Sequence, residues 1–425
     1  MQHDGWRIPR IVTLAVALCA LSFGVAACGG DDDDSGGSQT KSSNGAASTK
    51  YTFGTDKEVQ ALMDDAFGGG TTVTDLPDIA QEAYKILAAP VTPEEQSKIE
   101  KCLKASGKCD LGKSDATIDV AESEDINNPY HQSLRAIYIL MAIREPSVKS
   151  ISFTQANFDV QAALSNFRSH ITQGADVIIG TFDKGAAMLP VMKQAAAQKI
   201  TVWANTQGPE SRFDGSDLAG FTHVDLCQFG KDLAKLAVEK GGKNVAMYSG
   251  PEGNAYGAQW MPCAEKELGS LGANLVVKGA TSWTPQGEAQ AAAALAAKGL
   301  PDALIYDYTP QAFFEKFIKL GKTPPTQIGG SQTMGAWKVW NDANGTQHKF
   351  KNYIAASQIT LGAVTLHASV KAHEGEKVKA DVLLPEPIVP AAEVKPYYNP
   401  KFPSGANFGM GLPEQVLLPA FEAKG

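Results

Sequence analysis

The side chains best suited to hold a small molecule fall just after short apolar runs of the chain. Asn128-Pro129-Tyr130 follows the run 117–122, Phe182-Asp183 follows 176–181, and Asn205-Thr206 closes 200–205. Further on, Asn254 and Tyr256 follow 243–249, with Trp260 one helical turn later. Trp283 follows 273–278, Asp307-Tyr308 closes 302–307, and Ser331-Gln332 follows 326–330. Amides and hydroxyls both donate and accept hydrogen bonds, and aromatic faces cover C–H surface, so this inventory suits a neutral polar ligand. Reactive constellations are missing. The stretch Gly329-Gly330-Ser331-Gln332-Thr333 lacks the closing glycine of a nucleophile elbow. His373-Glu374 does not continue into a second ligating histidine, and no glycine-rich phosphate loop ending in Lys-Ser/Thr is present. The cysteines form no closely spaced pair beside histidines, so no metal centre is expected. The reading is reversible binding, with no enzyme activity and no cofactor.

The elements that must position these residues alternate. Apolar runs at 117–122, 149–154, 176–181, 200–205, 243–249, 273–278, 302–307, 326–330 and 353–358 read as strands, with amphipathic stretches between most of them. In one such stretch Val160, Ala163, Leu164, Phe167 and Ile171 share a helix face, and Gly174 ends it before the next strand. Repeated strand–helix alternation implies parallel sheets covered by helices on both faces. So many strands divide more readily into two lobes than into one core. In open sheets of this kind ligands sit beyond the carboxyl ends of the strands, where the named residues fall. Trp203, inside an apolar run, reads as core.

The rest of the chain bounds the setting. It has 425 residues and a formal net charge of −8. An acidic chain without a basic stripe is a poor partner for nucleic acid. Arg7 and Arg10 precede the apolar run 11–27, which ends Val25-Ala26-Ala27-Cys28. A basic start, a short apolar stretch and small residues before a cleavage point describe an export signal. Cys28 after two alanines resembles a bacterial lipoprotein signal, with Cys28 acylated. Residues 1–27 are then the signal, and the Gly-, Asp-, Ser- and Asn-rich segment 28–49 is a flexible tether. Beyond Cys19 and Cys28, four cysteines remain in an oxidising setting. They can pair in three ways; nearness in sequence pairs Cys102 with Cys109 and leaves Cys227 for Cys263. Residues 50–115 read as a helical extension, with Thr92-Pro93-Glu94-Glu95 as a capping box.

Taken in order, "NNPY" after the first strand, "QGADVIIG", "AAAQKITVWAN" and "GKNVAMYSGPEGNAYG" resemble the ribose-binding-like cluster of type I periplasmic binding proteins. The resemblance covers about residues 116–390. "DLCQFGKDLA", "QWMPCAEKEL" and "TSWTPQGE" also resemble lipoprotein sugar receptors of high-GC Gram-positive bacteria. The resemblance implies two similar doubly wound α/β lobes joined by a three-stranded hinge. Crossings are expected near Phe221–Val224, Ser357–Gly362 and Ala380–Leu384. Lobe 1 is then 116–222 with 360–382, lobe 2 is 223–359 with 383–400, and 401–425 is a C-terminal tail. The implied function is capture of a sugar- or polyol-like ligand by a lipid-anchored, monomeric receptor outside the cytoplasm, for delivery to an ABC permease. Presentation to a membrane sensor kinase and an exported enzyme on the same fold are the alternatives. The implied pocket is Asn128, Tyr130, Phe182, Asp183 and Asn205 facing Asn254, Tyr256, Trp260, Asp307 and Gln332. Three charged clamps usual in the family are replaced: Asn205-Thr206 stands for an Asp-Arg pair, 258–260 holds no Arg, and Ser331 stands for an Asp.

Overall fold

The computed structural model describes residues 51–124, 127–206, 218–330, 333–356, 358–408 and 414–422. Cys28, the signal, the tether and Gln332 lie outside the described residues.

The chain begins with α1 (Asp56–Phe67), α2 (Asp78–Leu87), α3 (Pro93–Leu103) and the short strand β1 (Cys109–Asp110). Lobe 1 follows as β2 (Ile118–Glu124), α4 (Pro129–Arg144), β3 (Val148–Gln155), α5 (Val160–Thr172), β4 (Val177–Gly180), α6 (Leu189–Ala197), β5 (Thr201–Thr206) and β6 (Gly220–His223). Lobe 2 is α7 (Leu226–Lys240), β7 (Asn244–Ser249), α8 (Ala255–Ser270), β8 (Asn274–Ala280), α9 (Pro285–Lys298), β9 (Ala303–Tyr306), α10 (Gln311–Lys319), β10 (Thr326–Ile328), α11 (Met334–Ala343) and β11 (Asn352–Ala355). The chain then returns through α12 (Leu361–His373) and β12 (Asp381–Leu383), crosses to β13 (Ile388–Pro390), and ends with α13 (Glu414–Glu422).

Two sheets result, ordered β1-β3-β2-β4-β5-β6-β12 and β13-β11-β10-β9-β7-β8. All pairs are parallel except β1 on β3 and β13 on β11 at the edges. The chain passes between the sheets three times: after β6, between β11 and α12, and between β12 and β13. Each apolar run read as a strand overlaps one. The four strands without such a run, β1, β6, β12 and β13, are two to four residues long and lie at edges or beside the crossings.

Helices cover both faces of the first sheet. On one side α4 and α12 bury Leu134, Ile137, Tyr138 and Leu366 completely. On the other, α5 and α6 bury Phe167, Val191 and Met192. A helix buried nearly all round cannot show an apolar stripe against a polar one, and α4 and α12 do not. The N-terminal extension is not a separate body. Its helices pack on α4 and α12, and β1 extends the lobe 1 sheet. The Thr92 capping box forms, and Arg144 at the end of α4 bonds to Glu95 (2.7 Å) and to the carbonyls of Ile86 (2.7 Å) and Ala89 (3.0 Å). One guanidinium thus gathers the end of α2, the start of α3 and the end of α4.

Residues 401–425 were expected as a tail, and the structure differs. Met334 and Gly335 donate to the carbonyls of Ala406 and Ser404 in lobe 2, and Phe408 is buried beside Trp337. Helix α13 then buries Val416, Leu417 and Ala420 against α3 and α4 of lobe 1. Apolar spacing in so short a segment gave little sign of this. Both Cys102–Cys109 and Cys227–Cys263 are bonded; the second joins α7 to α8. Among the described residues no helix is long and apolar enough to cross a membrane.

Candidate ligand-binding cleft

Each sheet has a point where successive strands depart in opposite directions, β2 from β4 in lobe 1 and β7 from β9 in lobe 2. Such points open a crevice beyond the strand ends. The two crevices face one another. Their shared cleft is lined by Asn128, Tyr130, His131, Thr181, Asp183 and Thr206 of lobe 1, and by Phe229, Tyr256, Trp283, Asp307, Tyr308 and Gly330 of lobe 2. Ala355, Ala356 and Glu386, on the crossing segments, complete the lining. Topology makes the lobes equivalent here. Asn128 and Asn254 each cap the helix after the first strand of a lobe, and Asp183 and Asp307 each follow its third strand.

Local chemistry fixes each wall. The Asn128 side chain accepts from the His131 amide (3.0 Å), satisfying an otherwise orphaned donor at the start of α4. That cap places Tyr130 in the first turn, its hydroxyl 3.0 Å from Thr206 Oγ1. Burial, and then the nearby charges of Asp183 and Glu386, push the Tyr130 phenol upward, so it stays neutral. On lobe 2, Asp307 accepts from Trp260 Nε1 (2.9 Å), Trp283 Nε1 (2.9 Å) and the Ser249 hydroxyl. Part of its surface stays open to the cleft. Burial outweighs these three donors and pushes its carboxyl up to about 6.

Backbone strain concentrates at this cleft. Asn157 and Phe158 after β3, Thr206 at the end of β5, and Ser282 and Trp283 after β8 all have positive φ, from 48° to 75°. Non-glycine residues adopt that conformation when surrounding structure demands it, often where a ligand is clamped. Here it turns Thr206 and Trp283 to the cleft and brings Phe158 of lobe 1 against Trp283 of lobe 2, with ring centroids 5.7 Å apart. The Ala255 amide donates to the Asp183 carbonyl across the same gap (3.1 Å). The lobes are therefore in contact.

Thr181 Oγ1 and His131 Nδ1 in the lining are buried with no hydrogen-bond partner among the described residues. Burial and then the Arg135 charge push His131 down to about 3, so its ring is neutral and one nitrogen can accept. Unpaired buried polar atoms are costly and uncommon. In a cleft wall they are natural contacts for a polar ligand. Among the described residues one group could hold a metal: Glu122, Glu124 and His131 bring ligand atoms within 4.8 Å of each other. Both Glu124 oxygens already receive the Arg135 guanidinium, at 3.2 and 2.5 Å, which supplies the cluster with a resident positive charge.

Of the residues named from sequence, Asn128, Tyr130, Asp183, Tyr256 and Asp307 line the cleft. Four do not. Phe182 turns into the lobe 1 core against Phe167 (5.8 Å). Asn205 is buried and accepts from Thr365 of α12 (2.9 Å). The Asn254 side chain is used within its own turn, by the Gly257 amide (2.7 Å) and the Pro251 carbonyl (2.6 Å). Trp260 is fully buried behind Asp307, so it positions that carboxylate from behind. Gln332 lies outside the described residues. Strand ends had marked Trp283, Tyr308 and Thr206 without their joining the expected pocket; Phe229 and Glu386 had no such mark. Glu386 adds a third carboxylate to the lining beside the expected Asp183 and Asp307.

A family model for the periplasmic binding protein domain matches residues 125–377. No curated protein matches the chain. Among solved structures, a solute-binding protein of an ABC transporter from Bacillus halodurans, with bound myo-inositol, is 16% identical at a TM-score of 0.57, covering 67% of this chain and 98% of that one. One from Mycobacterium smegmatis, with bound glycerol, is 16% identical at a TM-score of 0.58, covering 68% and 99%. The fructose-binding periplasmic domain of a hybrid two-component system is 12% identical at a TM-score of 0.55, covering 64% and 91%.

Proposed function

Because this chain belongs to the type I periplasmic binding proteins, we propose that it is an exported receptor that captures a small polyhydroxylated ligand between its lobes and delivers it to an ABC permease. The observation that carries this reading is the cleft itself. It lies at the strand-reversal points of both lobes, is lined by aromatic rings and carries Thr181 Oγ1 and His131 Nδ1, buried polar atoms with no partner among the described residues. Rings cover the C–H faces of a sugar or polyol while polar atoms orient its hydroxyls. Among the described lining residues none resembles an activated nucleophile, in keeping with a ligand that is held and released rather than turned over. Three crossing segments allow opening by a hinge motion, and contacts made to both lobes at once favour the closed state.

Cys28 is the proposed lipidated first residue of the mature, monomeric protein, anchored to the outer face of the cytoplasmic membrane. Presentation of the liganded form to a sensor kinase is a second reading, favoured by the likeness to the fructose-binding domain of a two-component system. The test is a thermal-shift screen of sugars, inositols and other polyols. Ligand at 100 times its dissociation constant adds about 2.7 kcal/mol to stability. A set of such compounds with no effect on melting contradicts the reading.

A further inference from the structure

The segment that follows β13 touches both lobes beside the cleft. It first lies on lobe 2, at the start of α11. The Met334 and Gly335 amides donate to the carbonyls of Ala406 (2.7 Å) and Ser404 (2.8 Å), and Asn407 forms a bridge with Thr333. Tyr398 stacks on Trp337 with ring centroids 4.6 Å apart, and the Phe408 ring lies 6.0 Å from the same indole. Helix α11 begins shortly after Gly330 and α4 directly after Asn128, both of the cleft lining. Gly405 lies between these two helix starts. A Cβ there would come within 3.0 Å of the ring of Pro129, the first residue of α4. Beyond it, α13 buries Val416, Leu417 and Ala420 against α3 and α4 of lobe 1. The chain therefore passes between the lobes a fourth time, along the rim of the cleft. Only residues 409–413 separate Phe408 from Glu414, a reach of about 20 Å at full stretch, so wide opening pulls on one anchor or the other.

We propose that residues 398–422 form a strap that holds the lobes together at the cleft rim, so that opening requires one of its anchors to let go. The strap acts without ligand and does not depend on which ligand the cleft takes. Its two grips differ. The lobe 2 grip combines backbone hydrogen bonds with stacked rings, whereas the lobe 1 grip is a helix of 9 residues with Pro419 inside it. So short a helix is marginal once undocked, and α13 is therefore the end that releases. Its re-docking is intramolecular and so occurs at high effective concentration. Release and return of α13 then set how often the cleft opens to solvent.

The Ala255 amide reports on the lobe contact. It is the first amide of α8, which has no partner within the helix, and it donates across the cleft to the Asp183 carbonyl (3.1 Å). Its hydrogen exchange is measured on the ligand-free full chain, and on a chain carrying about 20 Gly and Ser residues inserted after Met410. The insertion keeps both grips and slackens the strap. The expected result is exchange at Ala255 at least tenfold faster in the lengthened chain, with the amides of β4 and β7 unchanged. Leu417→Ser, which weakens the lobe 1 grip, should also speed Ala255, and adding it to the lengthened chain should change nothing further, because a slack strap has no hold left to lose. Equal exchange at Ala255 in the intact and lengthened chains overturns the proposal. So does acceleration shared by Ala255, β4 and β7, which marks loss of folding rather than opening, and so does a further rise when the two changes are combined.

Discussion

Asp307 shows how one residue's role is set by its neighbours. Two indole N–H groups and a hydroxyl hold its carboxylate, and the Trp283 that donates to it also meets Phe158 of the opposite lobe. Cleft wall, lobe contact and carboxylate are thereby coupled through a single ring. Asp307→Asn is expected to weaken ligand binding at least tenfold in calorimetry. Tyr130→Ala should do the same while leaving the melting temperature nearly unchanged, since Tyr130 is only partly buried. Trp203→Ala should do the opposite. That ring is fully buried with its Nε1 on Thr222 (3.0 Å), and its loss costs about 3–5 kcal/mol in denaturant unfolding. At this scale the sequence located the right loops but not always the right side chain. Consecutive residues of an extended chain point to opposite sides. Phe182 therefore enters the core where Asp183 meets the cleft, while Asn205 faces α12 and the positive φ of Thr206 turns that residue to the cleft. Strand ends mark a pair of neighbours; only packing decides between them.

Among the elements, α7 and α8 pack closely against each other. Gly230 of α7 lies against the Trp260 backbone of α8, where any Cβ would run into the carbonyl oxygen. One turn away the Cys227–Cys263 bond joins the same two helices. Its loop of 36 residues constrains the unfolded chain by about 3–4 kcal/mol in the chain-entropy model. The Cys227→Ser, Cys263→Ser double variant should lose about that much in denaturant unfolding, and an unchanged midpoint contradicts the claim. Gly250, just past β7, has a site-directed role. A methyl group there would collide with the Trp283 ring, so Gly250→Ala should push that indole off Asp307 and weaken binding. The alternation of strands and helices was legible because each long element carries its own apolar period. The packing of α13 and the entry of Glu386 into the cleft were not, because both depend on where distant elements bring the chain.

For the whole molecule, the N-terminal extension and the last helix finish lobe 1. His367 of α12 marks the junction. Its Nδ1 lies 2.6 Å from Glu145 of α4, and its Nε2 lies 3.4 Å from Glu82 of α2, an ion-pair distance without hydrogen-bond alignment. Tyr51 adds a hydroxyl to Glu145 at 2.8 Å. Burial alone would lower the His367 pKa, but the two carboxylates more than offset it and hold it up at about 9. A folded-state value above the unfolded value of about 6.5 gives stability that is complete below pH 6.5 and lost as pH rises through 9. Glu288, pushed up to about 8 by burial, acts in the same direction as pH rises from its ordinary range. The melting temperature should therefore fall between pH 6.5 and 9.5, and His367→Gln should flatten that fall. A steeper decline in the variant contradicts the assignment.

The central claim is that one small ligand binds reversibly between the lobes. The most direct measurement is calorimetry of the best ligand from the sugar and polyol series, on the intact protein and on the Tyr130→Ala and Asp307→Asn variants, with the ligand recovered and analysed afterwards. The account predicts one ligand per chain, recovered unchanged, and affinity at least tenfold weaker in both variants, which remain folded. Full affinity in both folded variants, or recovery of the ligand as a converted product, would contradict it.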